Sequence, residues 1–302
     1  MKKSLLSREI ILTVAILSIL FCAPTTALAS PYTLVNTVTG FDFINDVEVD
    51  ASGRVIVGDW NGLEIYDSAG NFIASGPTSP GIDGVGTSAS GNIVIVEQQF
   101  TIKTYDSALS LLGSFGTSSV DDVAVDATGR YHLKLDQSNL IEVRDSGGSF
   151  ITSYGNQPGF GEGGELSISI GPDGKIYAAD VSTGKVRIFN PDLTLNSINA
   201  DPSGQPQDVA VDLFGRYYVL EQLNDRVMIY DSSNLFLDQI NLPSGNPFGL
   251  AVSPFGDRVY VGNASKLHIY SDDNPVPEPT TMLLLGSGLL GLAGFRKRFR
   301  KK

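Results

Sequence analysis

The sequence predicts an all-β chain: a six-bladed β-propeller of four-stranded blades, closed by its N-terminal strand and flanked by two targeting segments. Three observations predict it. A motif with a turn glycine recurs at Gly53, Gly91, Gly129, Gly174, Gly215 and Gly256, at intervals of 38, 38, 45, 41 and 41 residues. Within each unit apolar and polar residues alternate over five or six positions between Gly, Asn, Asp and Pro, a strand signal with no helical competitor. The last unit lacks a fourth strand, whereas an extra one, Tyr32–Val38, precedes the first. Four strands in about 40 residues match a propeller blade.

In chain order, residues 1–29 read as a secretory signal peptide. Lys2, Lys3 and Arg8 form its positive region, Ile10–Phe21 its apolar core, and Ala27-Leu28-Ala29 a small-residue cleavage site. Cys22 is the only cysteine, and cleavage after Ala29 leaves a mature chain without disulfides, thiolate catalysis or Cys-ligated metals. Residues 30–273 hold the propeller. Asp46-Val47-Glu48-Val49-Asp50-Ala51-Ser52-Gly53-Arg54 returns as Asp122–Arg130 and Asp208–Arg216, with weaker copies around Gly91, Gly174 and Gly256. In the clearest unit the strands are expected at Asp208–Asp212, Tyr217–Glu221, Arg226–Tyr230 and Leu235–Ile240. The middle of each first strand is Glu48, Gly86, Ala124, Ser169, Ala210 or Ala251, small in five of six units, as inner strands crowding an axis require. Pairing Tyr32–Val38 with the last unit removes an open sheet edge.

Residues 274–302 form the second targeting segment. After Val276, Pro277, Glu278 and Pro279 comes an apolar run, Thr280–Phe295, and a basic end, Arg296–Lys302. Sixteen residues at ~1.5 Å each make a helix of about 24 Å, slightly short of a ~30 Å bilayer core, and the basic end stays cytoplasmic. An ordinary membrane anchor is the alternative reading. Setting aside the leader (Lys2, Lys3, Arg8, Glu9) and the six basic residues of the tail leaves 12 basic and 32 acidic residues, a net charge of −20. Such a body repels nucleic acid and anionic lipid and attracts cations or basic partners; solubility outside the cell explains the charge equally well.

The Pro-Glu-Pro signature, the short Gly/Leu-rich span and the basic cluster together resemble the PEP-CTERM sorting signal of Gram-negative bacteria. The resemblance implies export, a membrane-tethered precursor held transiently in the inner membrane by its C-terminal helix, recognition by an exosortase of the secretion machinery, tail removal, and delivery to the cell surface or extracellular matrix. The blade pattern, Asp-Val-Ala-Val-Asp-x-x-Gly-Arg with a third strand such as Asn224-Asp225-Arg226-Val227-Met228-Ile229, resembles the NHL repeat over residues 46–273. Blade 2, opening with Gly84-Val85-Gly86, and blade 6 depart from it. The resemblance implies the fold; its relatives include scaffolds, ligand-binding domains, lyases and lactonases.

In a propeller the starts of first strands and the ends of second strands share a face. That face is expected to collect Asp46, Asp121, Asp122 and Asp208 from first strands and Asp59, Glu97, Asp136, Asp180 and Glu221 from second strands. Three readings stand: hydrogen bonding within each blade, a Ca²⁺ site of six to eight oxygens, or a seat for a cationic ligand. Asp50, Asp126, Asp173 and Asp212, in turns of the opposite face, are expected to cap backbone amides. His132 and His268 fall mid-strand and are read as packing residues, so no nucleophile–base pair is assembled. Trp60, Phe100 and Phe160, the last within the Gly-rich insertion Gly155–Leu166, are candidate aromatic contacts, with a core role equally open for Trp60.

The expectation is therefore a non-enzymatic, surface-delivered binding or scaffold module for an extracellular polysaccharide or another exported protein, with no nucleic-acid partner. The alternative is a Ca²⁺-dependent lactonase or lyase, and a third reading is a structural filler of the matrix. No cofactor beyond a candidate Ca²⁺ is implied.

Overall fold

β-Branched and aromatic residues fill the segments between turn glycines, and each segment is a strand in the computed structural model, which describes residues 30–76, 81–136, 138, 140–155, 166–202 and 204–272. After β1 (Tyr32–Thr39), the first blade is β2 (Ile44–Val49), β3 (Val55–Asp59), β4 (Gly62–Tyr66) and β5 (Phe72–Ser75). The second is β6 (Ile82–Thr87), β7 (Ile93–Glu97), β8 (Thr101–Tyr105) and β9 (Leu111–Gly116), and the third β10 (Val120–Val125), β11 (Tyr131–Leu135), β12 (Leu140–Arg144) and β13 (Phe150–Gly155). The fourth is β14 (Leu166–Ile170), β15 (Ile176–Asp180), β16 (Lys185–Phe189) and β17 (Leu195–Asn199), and the fifth β18 (Pro206–Val211), β19 (Tyr217–Glu221), β20 (Arg226–Tyr230) and β21 (Phe236–Asn241). β22 (Pro247–Val252), β23 (Arg258–Asn263) and β24 (Lys266–Asp272) make the sixth, and β1 completes it. Among the described residues there are six four-stranded antiparallel sheets and no helix.

The expected closure is present. β1 runs antiparallel to β24, from Tyr32 opposite Asp272 to Thr39 opposite Lys266. Tyr32 pins the seam: its hydroxyl donates to the carbonyl of Gly256 and lies 3.1 Å from the Tyr218 hydroxyl. The leader, Phe160 and the sorting motif Val276–Pro279 lie outside the described residues.

The hydrophobic core sits between blades, in six clusters that each join two consecutive blades. Ile56, Leu63 and Ile65 of blade 1 meet Ile82, Val85 and Ile95 of blade 2. The last cluster joins Tyr260, Leu267 and Ile269 of blade 6 to Ile44, Val47 and Val57 of blade 1, so the ring is continuous. Because a blade buries its faces only against neighbours, the units stand or fall together.

The six turn glycines all have positive φ, from 67° at Gly256 to 83° at Gly53. Beside them Asp50, Asp126 and Asp212 accept from the backbone N–H groups two and four residues on, and bind Arg54, Arg130 and Arg216 through Nε at 2.6–2.7 Å. Asp173 accepts likewise from the Lys175 N–H at 3.1 Å. These acids cap turns, as expected. His132 is buried in blade 3 beside the Tyr154 hydroxyl at 3.0 Å, and His268 lies beside the Thr37 hydroxyl at 3.1 Å; burial lowers both ring pKa values.

A candidate ligand funnel on the propeller axis

Three cavities follow one another along the axis, sharing lining residues. A funnel of about 240 Å³ opens on the face where first strands begin, a narrow cavity of about 90 Å³ lies at the middle, and a cup of about 270 Å³ opens on the opposite face.

The funnel is built by irregularity. In β2, β6, β10, β18 and β22 the register with the second strand slips by one residue, leaving Asn45, Asp83, Asp121, Gln207 and Phe248 as bulged positions. A bulge re-aims the side chain it carries. All five line the funnel, joined by Phe43 and by Gln99 from the turn after β7. Phe43 and Phe248 form a tilted aromatic pair with centroids 4.9 Å apart. Asn45 Nδ2 donates to the Ile82 carbonyl at 2.7 Å, and Asp83 Oδ2 accepts from the Gln99 N–H at 2.7 Å, so the rim is fixed by contacts between neighbours. Burial raises the Asp83 carboxyl, and the Gln99 N–H offsets part of the rise. Under Asp121, burial lowers the pKa of the fully buried Lys134, whose Nζ lies 3.9 Å away.

Beneath the rim a second ring holds the blades together in pairs. Asp46 Oδ1 accepts from the Val47 N–H at 2.7 Å and Oδ2 from the Val85 N–H of blade 2 at 2.6 Å. Asp122 does the same with Val123 at 2.6 Å and Ile168 of blade 4 at 2.8 Å. Asp208 takes Val209 at 2.6 Å and the N–H of Leu250 in blade 6. Odd-numbered blades carry the clamping Asp, and even-numbered blades have Gly84, Ser167 and Gly249 at that position. A Cβ on Gly84 would come within 2.9 Å of the Asp122 Cα, and one on Gly249 within 2.9 Å of the Val47 nitrogen. Blade 2 thus departs from the repeat because its glycine lets blade 3 approach. Ser167 spans the remaining junction by donating to Asp208.

Burial is the main reason these carboxyls resist ionisation; the nearby Asp122 carboxyl adds to it for Asp46 and Asp208, whereas the N–H groups of Ile168 and Val123 offset part of it for Asp122. Asp122 is pushed up to about 6 and Asp208 to about 8, while Asp46 is raised well above the usual carboxylate range. Glu48, one turn of the pleat below Asp46, is pushed up to about 8 by burial, then by Asp122 and Asp208.

The structure thus brings Asp46, Asp122 and Asp208 together and leaves the second-strand acids in their own blades. Asp59 accepts from the Asp42 N–H at 2.9 Å and from that of Asn61. Glu97 pairs with Lys103 at 2.6 Å, and Asp136 accepts from the Ser119 hydroxyl at 3.3 Å. Asp180 takes Ser182, Thr183 and, at 3.5 Å, Arg187. Glu221 takes Gly204, Asn224 and Arg226; burial pushes its carboxyl up, but these partners hold it below the usual range. None of these five lines the funnel. Among the described residues no group of three His, Cys, Asp or Glu side chains has metal-holding geometry. With both oxygens of each ring Asp accepting backbone N–H bonds, the donor set does not fit a Ca²⁺ cage. Trp60 and Phe100 are 54% and 57% exposed at turns after second strands, on the funnel's face but outside its lining. Sequence reasoning missed Asn45, Asp83, Gln99, Gln207, Phe43 and Phe248. The signal that finds most of them is the repeat column immediately before the ring Asp.

Comparison with known proteins agrees with the two-part organisation. The PEP-CTERM protein-sorting motif matches residues 275–298. Among curated proteins, the chain is 25% identical over 164 residues to the Probable autotransporter YcgV of Escherichia coli (strain K12), covering 48% of this chain and 16% of that one. It is 28% identical over 148 residues to the Gluconolactonase of Zymomonas mobilis subsp. mobilis, covering 41% of this chain and 42% of that one, so it spans less than half of either relative. Among solved structures, the Myceliophteria thermophila Cps50 (Swd1) β-propeller domain superposes with a TM-score of 0.62 at 12% identity, covering 80% of this chain and 99% of that one. A streptogramin B lyase gives 0.60 at 11% identity, covering 80% and 97%, and virginiamycin B lyase from Staphylococcus aureus 0.56 at 14%, covering 74% and 79%. At such identities these likenesses show the fold. The chain is a six-bladed propeller with a C-terminal PEP-CTERM sorting motif, which marks it as an exported protein held transiently in the membrane before exosortase processing and bound for the surface or extracellular space.

Proposed function

We propose that this chain is a non-enzymatic binding module of the cell surface or extracellular matrix, with NHL-type blades, and that its funnel takes a hydroxyl-rich ligand such as a unit of matrix polysaccharide. The observation that carries the reading is the set of five inner-strand bulges aimed into one mouth. Asn45, Gln99 and Gln207 offer both donors and acceptors, Asp83 and Asp121 accept from hydroxyls, and the Phe43–Phe248 pair offers an apolar platform. A sugar ring presents that same mixture of hydroxyl edges and C–H faces. The second-strand acids serve blade structure, and Trp60 and Phe100 extend the contact surface for a polymer outside the funnel.

The test is retention of the mature protein on the polysaccharide matrix of its host, followed by titration with the oligosaccharides that elute it. Asn45→Ala and Phe248→Ala each weaken binding about tenfold, the worth of one buried anchor or hydrogen bond. Unchanged binding by both variants sinks the reading. Similarity to a gluconolactonase favours a second reading, hydrolysis of small lactones; metal-dependent turnover of lactones by the mature protein would replace the binding role.

A further inference from the structure

The cup on the opposite face has no assigned role, and its lining differs from the funnel's. Val49, Ala89, Val125, Ile170, Val211 and Val252, one from each blade, give it an apolar wall. Its innermost polar side chain is Glu48, which also lines the narrow axial cavity. Glu48 is the one large residue in a column otherwise occupied by Gly86, Ala124, Ser169, Ala210 and Ala251, so packing does not ask for it. Its carboxyl meets the Thr87 hydroxyl at 3.3 Å, a long bond, and Thr87 and Ser169 line the axial cavity beside it. Among the described residues, no Lys, Arg or His lines any of the three axial cavities.

We propose that this cup binds a primary alkylammonium group, with the alkyl stem against the six-blade apolar wall and the ammonium on Glu48, Thr87 and Ser169. An ammonium has three N–H donors and no acceptor, which matches three oxygens at the bottom of an apolar well. The other carboxylates of the lining, Asp50, Asp126 and Asp212, are held by turn N–H groups and by Arg54, Arg130 and Arg216, so they do not assemble the six to eight contacts of a Ca²⁺ ion. An anion meets Glu48 and has no cation to pair with. Asp46, Asp122 and Asp208 stand beyond Glu48 with their oxygens on backbone N–H groups, so Glu48 is the carboxyl left to meet the cation. Binding an ammonium favours ionised Glu48, whose carboxyl otherwise holds its proton to about pH 8, so uptake near neutral pH releases protons. The inference is independent of what the funnel binds.

The experiment is calorimetric titration of the mature protein with n-butylammonium chloride at constant ionic strength, beside 1-butanol and ammonium chloride. The expected result is that n-butylammonium binds at least ~10-fold more tightly than either comparator, with a heat that changes with the ionisation enthalpy of the buffer. Glu48→Gln keeps the shape and Glu48→Ala restores the residue of three other blades; both should lose at least ~10-fold in affinity while melting no lower than the parent near neutral pH. No measurable binding of n-butylammonium overturns the proposal. So does equal binding of 1-butanol, which makes the cup merely apolar, or of ammonium chloride, which makes it a plain cation site. Full retention of affinity in Glu48→Gln also overturns it.

Discussion

Replacing Glu48 by alanine should stabilise this propeller above neutral pH and leave it nearly unchanged in acid. Burial, then Asp122 and Asp208, push the Glu48 carboxyl from 4.5 up to about 8. Because the folded value lies above the unfolded one, ionisation favours the unfolded chain. The stability linked to Glu48 is thus fully present below about pH 4.5 and lost as pH rises towards about 8. At ~1.36 kcal/mol for each tenfold change, a rise of that size corresponds to ~5 kcal/mol, and access of water from the cup reduces it to ~2 kcal/mol. The lost Thr87 bond subtracts ~0.5 kcal/mol. For a domain of this length the remaining ~1.5 kcal/mol is a gain of ~3–6 °C in melting temperature. Thermal melts of parent and variant near pH 4 and pH 8.5, at one ionic strength, read the difference; removing Glu48 also relieves Asp46, whose carboxyl it pushes up, a change of the same sign. A variant that melts below its parent at the alkaline pH, or gains equally at both, refutes the reasoning.

Asp208→Ala, measured by denaturant unfolding near pH 5 where the carboxyl holds its proton, should cost ~2–4 kcal/mol, because the buried N–H groups of Val209 and Leu250 lose their acceptor. A loss under ~0.5 kcal/mol would mean that the blade clamp is cosmetic. Gly256→Ala and Gly53→Ala share a positive φ but differ in surroundings: a methyl on Gly256 would run into the Arg216 guanidinium, the Tyr218 hydroxyl and the Asp212 carboxylate, whereas that on Gly53 meets nothing within 4 Å. The first should cost ~2–4 kcal/mol and the second ~1 kcal/mol, and equal costs in unfolding would contradict the packing described. Deleting residues 32–39 bares the edge of β24; size-exclusion chromatography with light scattering should show association and a lower melting temperature, and a native-like monomer would argue against the seam.

Much of the fold was legible because the repeat states it six times. Tyr217–Glu221 and Arg226–Tyr230 are strands with the expected bounds, and the orphan strand seals blade 6 as β1, reaching one residue further to Thr39. The fifth first strand begins earlier than expected, at Pro206, because Gln207 is a bulge that breaks the period of two. That same slip hid the funnel. Alternation treats a strand as regular, and so gave no reason to place Asn45, Asp83, Gln207 and Phe248 at the site. The acids were only half legible for a related reason. Asp46 and Asp59 both sit at the same end of their blade, and only the cross-blade N–H of Val85 against the local N–H of Asn61 separates an axial clamp from a turn cap.

The seam between Tyr32 and Asp272 also bears on when this protein can become itself. The first strand to leave the ribosome is the one whose partner is made last, so no segment of the chain can complete the circle early. Such a chain stays open, and threadable, until its final β-strand has been synthesised. The finished disc then has its beginning and its end at one corner, so a cut beyond residue 272 sheds the address without loosening the parcel.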